Sequence, residues 1–251
     1  MDANQELRAA VDGLYAAFKP YRLREHIEGC PCCVSDGDNR KLRSVPLAEL
    51  SSEQLRRYTF KAVTTWGTTH EFRHFLPRIA ELMSFDPQWP LELPIVTGKL
   101  TYAEWDAWPL TERTAIQRYL EAWWLTALSE FPCPAQWQNI NDVLCAIGRA
   151  EKSVEPYLAK WLRCSDLSAM RHLADFVIGN YPSLKKSKKL AGAFWDDREQ
   201  QRQQAESWIQ SANVREALTL AASSAAGGDA QFEILQALEY LTMLGESPSP
   251  A

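Results

Sequence analysis

Four side chains that can bind metal ions lie close together near the start of the chain. They are His26, Cys30, Cys32 and Cys33. Thiolate sulfur and imidazole nitrogen are good zinc ligands, and four of them are sufficient for a tetrahedral site. Adjacent cysteines and a C-x-C spacing chelate less well than C-x-x-C, and no second C-x-x-C pair follows. The segment is therefore a candidate structural zinc site, with thiols packed in a turn beside the core as the alternative.

A redox role for the same cysteines is a third interpretation. Cys30 and Cys33 have the C-x-x-C spacing of thiol–disulfide exchange proteins. The vicinal pair Cys32 and Cys33 would need a strained peptide to form a disulfide with each other. The βαβ pattern that surrounds a thioredoxin-like motif is not seen here, so the spacing alone carries the redox interpretation.

A second candidate metal site is the string His-Glu-Phe-Arg-His at residues 70–74, which satisfies the H-E-x-x-H pattern. On a helix, His70 and His74 would lie one turn apart and hold zinc, while Glu71 would act as the general base of a metallohydrolase. Arg73 places a permanent positive charge inside this motif, which opposes the binding of a dication.

The H-E-x-x-H candidate also needs a third ligand. No extended H-E-x-x-H-x-x-G-x-x-H pattern follows, and His172 is the only later histidine. A carboxylate such as Glu81 or Glu104 would have to complete the site. We therefore rank a hydrolase that uses Glu71 below the cysteine cluster, and expect the chain not to be an enzyme.

Composition narrows the class of protein. The chain has 251 residues, 46% of them hydrophobic, and a net charge of -5, so it can bury a sizeable core and has no electrostatic reason to bind nucleic acid. The exception is a basic cluster after Asn180, which we interpret as a solvated polar loop: Lys185, Lys186, Lys188 and Lys189. We recognise neither a signal peptide nor a membrane span, which predicts a cytoplasmic protein with reduced thiols.

The elements that position these residues are predicted to be helices. Apolar residues recur at intervals of three and four along most of the chain, which is typical of an all-α protein. One such helix occupies residues 51–66 behind an N-cap at Ser51, and a second follows Thr68 and Thr69, so that the two form an antiparallel hairpin. Pro77 lies inside the second pattern and predicts a kink or break near Phe75.

Further hairpins would make a multi-helix α/α array that resembles a short, irregular α-solenoid, although no residue pattern recurs at a fixed period. Residues 86–98 hold three prolines and are predicted to be an irregular connector. We therefore divide the chain into residues 1–98 and 99–251, which are predicted to form either one continuous unit or two closely packed parts. Trp123 and Trp124 point in different directions from one helix, and we favour burial of both. The tail at residues 247–251 is predicted to fray.

Three stretches together resemble a group of bacterial helical proteins. They are Cys-Pro-Cys-Cys-Val at residues 30–34, Thr-Trp-Gly followed by Phe-Arg-His-Phe-Leu-Pro-Arg between residues 65 and 78, and Tyr-Ala-Glu-Trp-Asp-Ala-Trp-Pro from Tyr102. The resemblance covers about the first half of the chain. It implies a bacterial, cytosolic setting, and the group brings no activity that can be transferred.

These observations lead to one functional expectation and one alternative. The abundance of helices and aromatic residues, together with the weakness of every catalytic pattern, favours a non-enzymatic protein that binds a partner protein, such as a bacterial immunity or adaptor protein. The acidic net charge would suit a basic partner. The alternative is a zinc protein that uses either of the two candidate sites. No oligomeric state is predicted.

Overall fold

The structure, a computed structural model, describes residues 2–225 and 227–245, and the predicted frayed tail at 247–251 lies outside these ranges. Within them the chain is all-α and has no strand. Twelve α-helices are described: α1 (Ala3–Phe18), α2 (Asp36–Lys41), α3 (Ser52–Lys61), α4 (Thr69–Phe85), α5 (Leu93–Tyr102), α6 (Leu110–Ser129), α7 (Ile140–Ala150), α8 (Glu155–Trp161), α9 (Leu167–Ser187), α10 (Glu199–Ile209), α11 (Ala212–Ser224) and α12 (Asp229–Gly245).

The predicted hairpin of two capped helices is present as α3 and α4. Ser51 caps α3, and Thr68 caps α4, each in a reciprocal capping box with the residue three positions later. The first helix is shorter than predicted because it ends at Lys61 and not near Trp66. Val63 has a positive φ of 57°, which interrupts the helical hydrogen bonds, and residues 62–66 form a turn.

Pro77 does not break α4, so the predicted break near Phe75 is wrong. The helix runs without a gap from Thr69 to Phe85. A proline inside a helix costs about 3 kcal/mol. Ten residues of α4 are buried, including Phe72 and Ile79, and each large apolar side chain contributes about 1.5–3 kcal/mol on burial, which more than offsets the lost hydrogen bond.

Two other proline-containing segments are more helical than predicted. Helix α5 begins at Leu93, inside the predicted connector, and Pro94 lies in its first turn, where no backbone donor is needed. Helix α9 continues through the predicted loop after Asn180 as far as Ser187, with Pro182 inside it. Lys188 ends this helix in a left-handed conformation, with φ at 61°. Lys185 and Lys186 thus belong to its last turn.

The chain forms two compact units. The first comprises Met1–Thr126 with Ala135–Trp137, and the second comprises Ala127–Pro134 with Gln138–Ala251. The predicted division at residue 98 does not coincide with this one. Helix α5 lies on both sides of residue 98 and contacts α3, so the chain on either side of the predicted connector belongs to the first unit.

Each unit has its own aromatic core. In the first, Trp123 and Trp124 are both fully buried, which confirms that the core takes up two side chains that leave α6 in different directions. In the second, α9 contacts α7, α11 and α12, and Trp161 packs against Phe176 and Trp208. Among the described residues, none of the helices combines the length and apolar character needed to cross a bilayer.

Candidate functional site

The three cysteines near the start of the chain face one another in the loop between α1 and α2. The sulfur atoms of Cys30 and Cys32 are 3.0 Å apart, and those of Cys32 and Cys33 are 3.7 Å apart. All three sulfurs lie within 4.8 Å of one another. Cys32 is exposed and the other two are half-buried, so the expectation of thiols packed beside the core is not met. All three are free thiols.

Backbone hydrogen bonds from the turn between α3 and α4 hold this loop in place. The amide of Cys30 donates to the carbonyl of Thr65 at 2.9 Å, and the amide of Gly67 donates to the carbonyl of Glu28 at 2.6 Å. Between them, Gly29 and Trp66 form an isolated antiparallel bridge. The segment that leads into the cysteines is therefore fixed to the α3–α4 hairpin.

A tight turn then brings the sulfurs to one place. The amides of Cys33 and Val34 both donate to the carbonyl of Cys30, at 2.8 and 2.9 Å. Gly29 permits this turn, because a Cβ atom there would lie 2.9 Å from the Cβ of Val34, closer than two such carbons approach. The hydrogen bonds of this turn involve backbone atoms only, so the thiol groups remain available to bind a ligand.

Positive charge surrounds the carbonyl of Cys33. Arg57 donates to it at 2.8 Å and Lys61 donates to it at 3.1 Å, both from α3. Arg57 also forms an ion pair with Asp38 at 2.7 Å. Hydrogen bonds from Ser35, assisted by Arg57, lower the pKa of Asp38, so this carboxylate stays ionised. The charge of Arg57 is therefore shared, while Lys61 brings an additional positive charge to the loop.

The thiols differ in acidity because they interact with each other. A hydrogen bond with Cys32 is the main cause that lowers the pKa of Cys30. The same interaction raises the pKa of Cys32 to about 11. One of the two sulfurs therefore ionises first while the other keeps its proton and donates it. A metal ion that binds both sulfurs requires both in the thiolate form, so its binding releases the remaining proton.

His26 does not join the cysteines, so the predicted four-ligand set is reduced to three. It is exposed and lies outside the group of ligand atoms that meet. The backbone that follows it is anchored without the imidazole, because Ile27 is fully buried and the carbonyl of Glu28 accepts the hydrogen bond from Gly67.

The two histidines of the H-E-x-x-H string bind backbone instead of facing a common point. Nε2 of His70 lies 2.9 Å from the carbonyl oxygen of Arg22, and Nδ1 of His74 lies 2.8 Å from that of Tyr21. Both imidazoles therefore fasten the segment that follows α1 to the first turns of α4. Burial lowers the pKa of His74, which favours its neutral form.

Glu71 has a structural task at the start of α4. Its carboxylate accepts hydrogen bonds from the amide and hydroxyl of Thr68, at 2.9 and 2.7 Å, and lies 3.6 Å from Arg24. Burial by itself raises the pKa of Glu71, but the hydrogen bonds from Thr68 outweigh it, and the pKa is lowered. A carboxylate held in this way is a helix cap and a weak base.

The further ligands considered for this string are also engaged or distant. Glu81 accepts hydrogen bonds from Tyr15 and Arg78, and Glu104 is exposed beyond α5. Arg73 forms an ion pair with Glu112 at 3.4 Å. In the described ranges, the three cysteines are the only group of three or more metal-binding side chains whose ligand atoms meet.

Sequence reasoning did not find Arg57, Lys61 or Thr65 as neighbours of the cysteines. Lys61 is 28 residues from Cys33 along the chain, and no local pattern connects them. The one available signal was the predicted α3–α4 hairpin, whose turn provides these groups. Searches against protein-family models, curated proteins and solved structures find no match to this chain.

Proposed function

We propose that this protein binds a thiophilic divalent metal ion, zinc in the first instance, through Cys30, Cys32 and Cys33. The convergence of the three sulfurs within 4.8 Å carries the proposal. Zinc–sulfur bonds of about 2.3 Å in a tetrahedral site place sulfurs about 3.8 Å apart. Cys32 and Cys33, at 3.7 Å, already have this spacing, and Cys30 has to move away from Cys32 by about 0.8 Å.

The charges around the loop support a divalent ion. Three thiolates and one zinc ion carry a net charge of −1. Lys61, at the end of α3, donates to the carbonyl of Cys33 beside the sulfurs, so it can balance this charge. Arg57 contributes less because Asp38 neutralises it. Such a second shell typically contributes a factor of 10 to 100 to metal affinity.

The test compares two cysteine variants after reconstitution with zinc under reducing conditions. Wild-type protein should retain about one zinc ion per chain, with three thiols protected from a thiol reagent. Cys32→Ser should lose the zinc and expose the other two thiols. Cys164→Ser is the matched control, because Cys164 is half-buried in the second unit and hydrogen-bonds to Lys160. A wild-type protein that holds no zinc and whose clustered thiols all react would overturn the proposal.

As a second candidate function we propose the binding of a partner protein, of the immunity or adaptor kind. Its support is an apolar stripe on α12, where Phe232 and Leu235 are 68% and 51% exposed and Met243 lies on the same face. If a partner protein still binds the Cys32→Ser variant but no longer binds the Phe232→Ser variant, its binding surface is assigned to α12. A partner that survives Phe232→Ser and Leu235→Ser would remove this stripe as the binding surface.

A further inference from the structure

Within residues 2–225 and 227–245, no fourth ligand joins the three cysteines, and the inference drawn from this rests on the metal binding proposed above. Zinc in proteins is almost always four-coordinate in structural sites, and sites with three protein ligands keep an open position. His26 is exposed, and its ring nitrogens are not among the ligand atoms that lie within 4.8 Å of one another. No other metal-binding side chain of the described residues reaches the group.

The group of sulfurs is accessible from solvent. Cys32 is exposed, Cys30 and Cys33 are half-buried, and the loop is fixed to the hairpin by backbone atoms on its inner side. A metal ion that binds the three sulfurs therefore remains accessible to a molecule from outside the chain. Water takes the position when nothing else is offered.

Charge decides which external donor fits best. A zinc ion with three thiolates is at −1, and a further thiolate would bring the site to −2. The two cations that donate to the carbonyl of Cys33 are Lys61 and Arg57, and Arg57 is already paired with Asp38, so these two would compensate a second negative charge only weakly. A neutral nitrogen donor completes the tetrahedron without adding charge, and imidazole is the neutral side-chain donor that zinc prefers.

We propose that the metal at Cys30, Cys32 and Cys33 has an exchangeable fourth position that binds an external imidazole. The step is a ligand exchange. The bond between the metal and water breaks, the lone pair of an imidazole nitrogen forms the new bond, and water leaves. Neither a proton nor an electron is transferred. The imidazole can come from a small molecule or from a histidine side chain of another protein.

Cobalt(II) provides the readout because it binds in zinc-type tetrahedral sites and has visible absorption bands that depend on its ligands. The cobalt-loaded full chain is titrated with imidazole. We expect a saturable change in the visible bands, with one imidazole per metal, while the thiolate-to-cobalt absorption in the ultraviolet is retained. Absence of the thiolate-to-cobalt absorption would defeat the metal-binding proposal itself. A normal thiolate absorption that does not respond to imidazole would overturn only the open position.

Three further arms identify the fourth ligand. His26→Ala should leave both the cobalt spectrum and the response to imidazole unchanged, whereas a changed spectrum restored by imidazole would make His26 the fourth ligand. Two chains per cobalt, each contributing sulfur, would also overturn the inference. A capped Gly-His-Gly tripeptide that gives the same spectral change as imidazole assigns the position to histidine side chains, and a response to imidazole alone assigns it to a small molecule.

Discussion

The cysteine loop and the start of α4 both match zinc-binding patterns, yet they use their side chains in opposite ways. In the loop, the bonds to the hairpin come from the backbone of Cys30 and its neighbours, so the sulfurs remain free and meet. In α4 the backbone is occupied by helical hydrogen bonds, so His70 and His74 make the long-range contacts with their rings. A ligand motif is therefore available for metal only where other atoms anchor the segment.

The largest expected difference between the two regions is in metal affinity. Cys30→Ser should weaken zinc binding by roughly a hundredfold or more, because structural zinc sites bind with about 10–16 kcal/mol shared among four ligands. His74→Ala should leave zinc affinity unchanged. Competition with a chromophoric chelator measures both. A loss of affinity in His74→Ala equal to that in Cys30→Ser would reverse the comparison.

The next largest effect concerns folding. Glu71→Ala should lower the free energy of unfolding by about 2 kcal/mol, because it removes a helix cap and leaves the amide and hydroxyl of Thr68 without their acceptor. Its zinc content should stay normal. Urea denaturation monitored by circular dichroism gives the value. Glu53→Ala, which removes an exposed carboxylate from α3, serves as the control and should change stability by less than about 0.5 kcal/mol. Normal stability with lost metal would make Glu71 a functional residue.

A smaller effect is expected from the second shell of the cysteine site. Lys61→Gln should reduce zinc affinity by about tenfold, since the charge that compensates the three thiolates is lost while the loop keeps its backbone bonds. Lys41→Gln removes one positive charge from exposed α2 and should have little effect. Equal effects of the two substitutions would show that only the net charge of the chain matters.

The smallest expected effect is a pH dependence of the free energy of unfolding, which arises from His74 on α4 and not from the cysteine loop. Burial lowers the pKa of His74 in the folded state, so the unfolded chain takes up a proton first as the pH falls below about 6.5. The free energy of unfolding should therefore be highest above this pH and fall as the pH decreases through the range between the two pKa values. His172, which burial affects in the same direction, adds a similar contribution.

Thermal unfolding between pH 7.5 and pH 5.5 checks this prediction, in a buffer with low temperature dependence. His74→Gln should make the melting temperature less sensitive to pH. A pH dependence that is the same in wild type and His74→Gln would exclude His74 as one of its sources.

Some features of the molecule follow from residues that are close together in the chain. The spacing of apolar residues predicted an all-α protein, and Ser51 and Thr68 were recognised as caps, because these signals arise within one or two turns of a helix. The cysteines could be named as ligands for the same reason: five consecutive positions hold three of them with little chain between.

Other features depend on contacts between distant residues. Pro77, Pro94 and Pro182 all lie in helices. A proline is accepted in a helix when it lies in the first turn or when the packing of the whole helix face compensates for it, and the proline itself does not reveal either condition. His26 is not part of the cysteine group although it lies only four residues before Cys30, so closeness along the chain did not decide which ligand atoms meet.

Local spacing thus determined which elements form and which side chains are near each other along the chain. Tertiary structure alone decided which of those side chains remain free to bind. The physical reason is that every buried polar group requires a partner, and the partners of His70, His74 and the cysteine loop come from segments far away in sequence. In the loop the backbone supplied those partners, and three thiols were left to face one another.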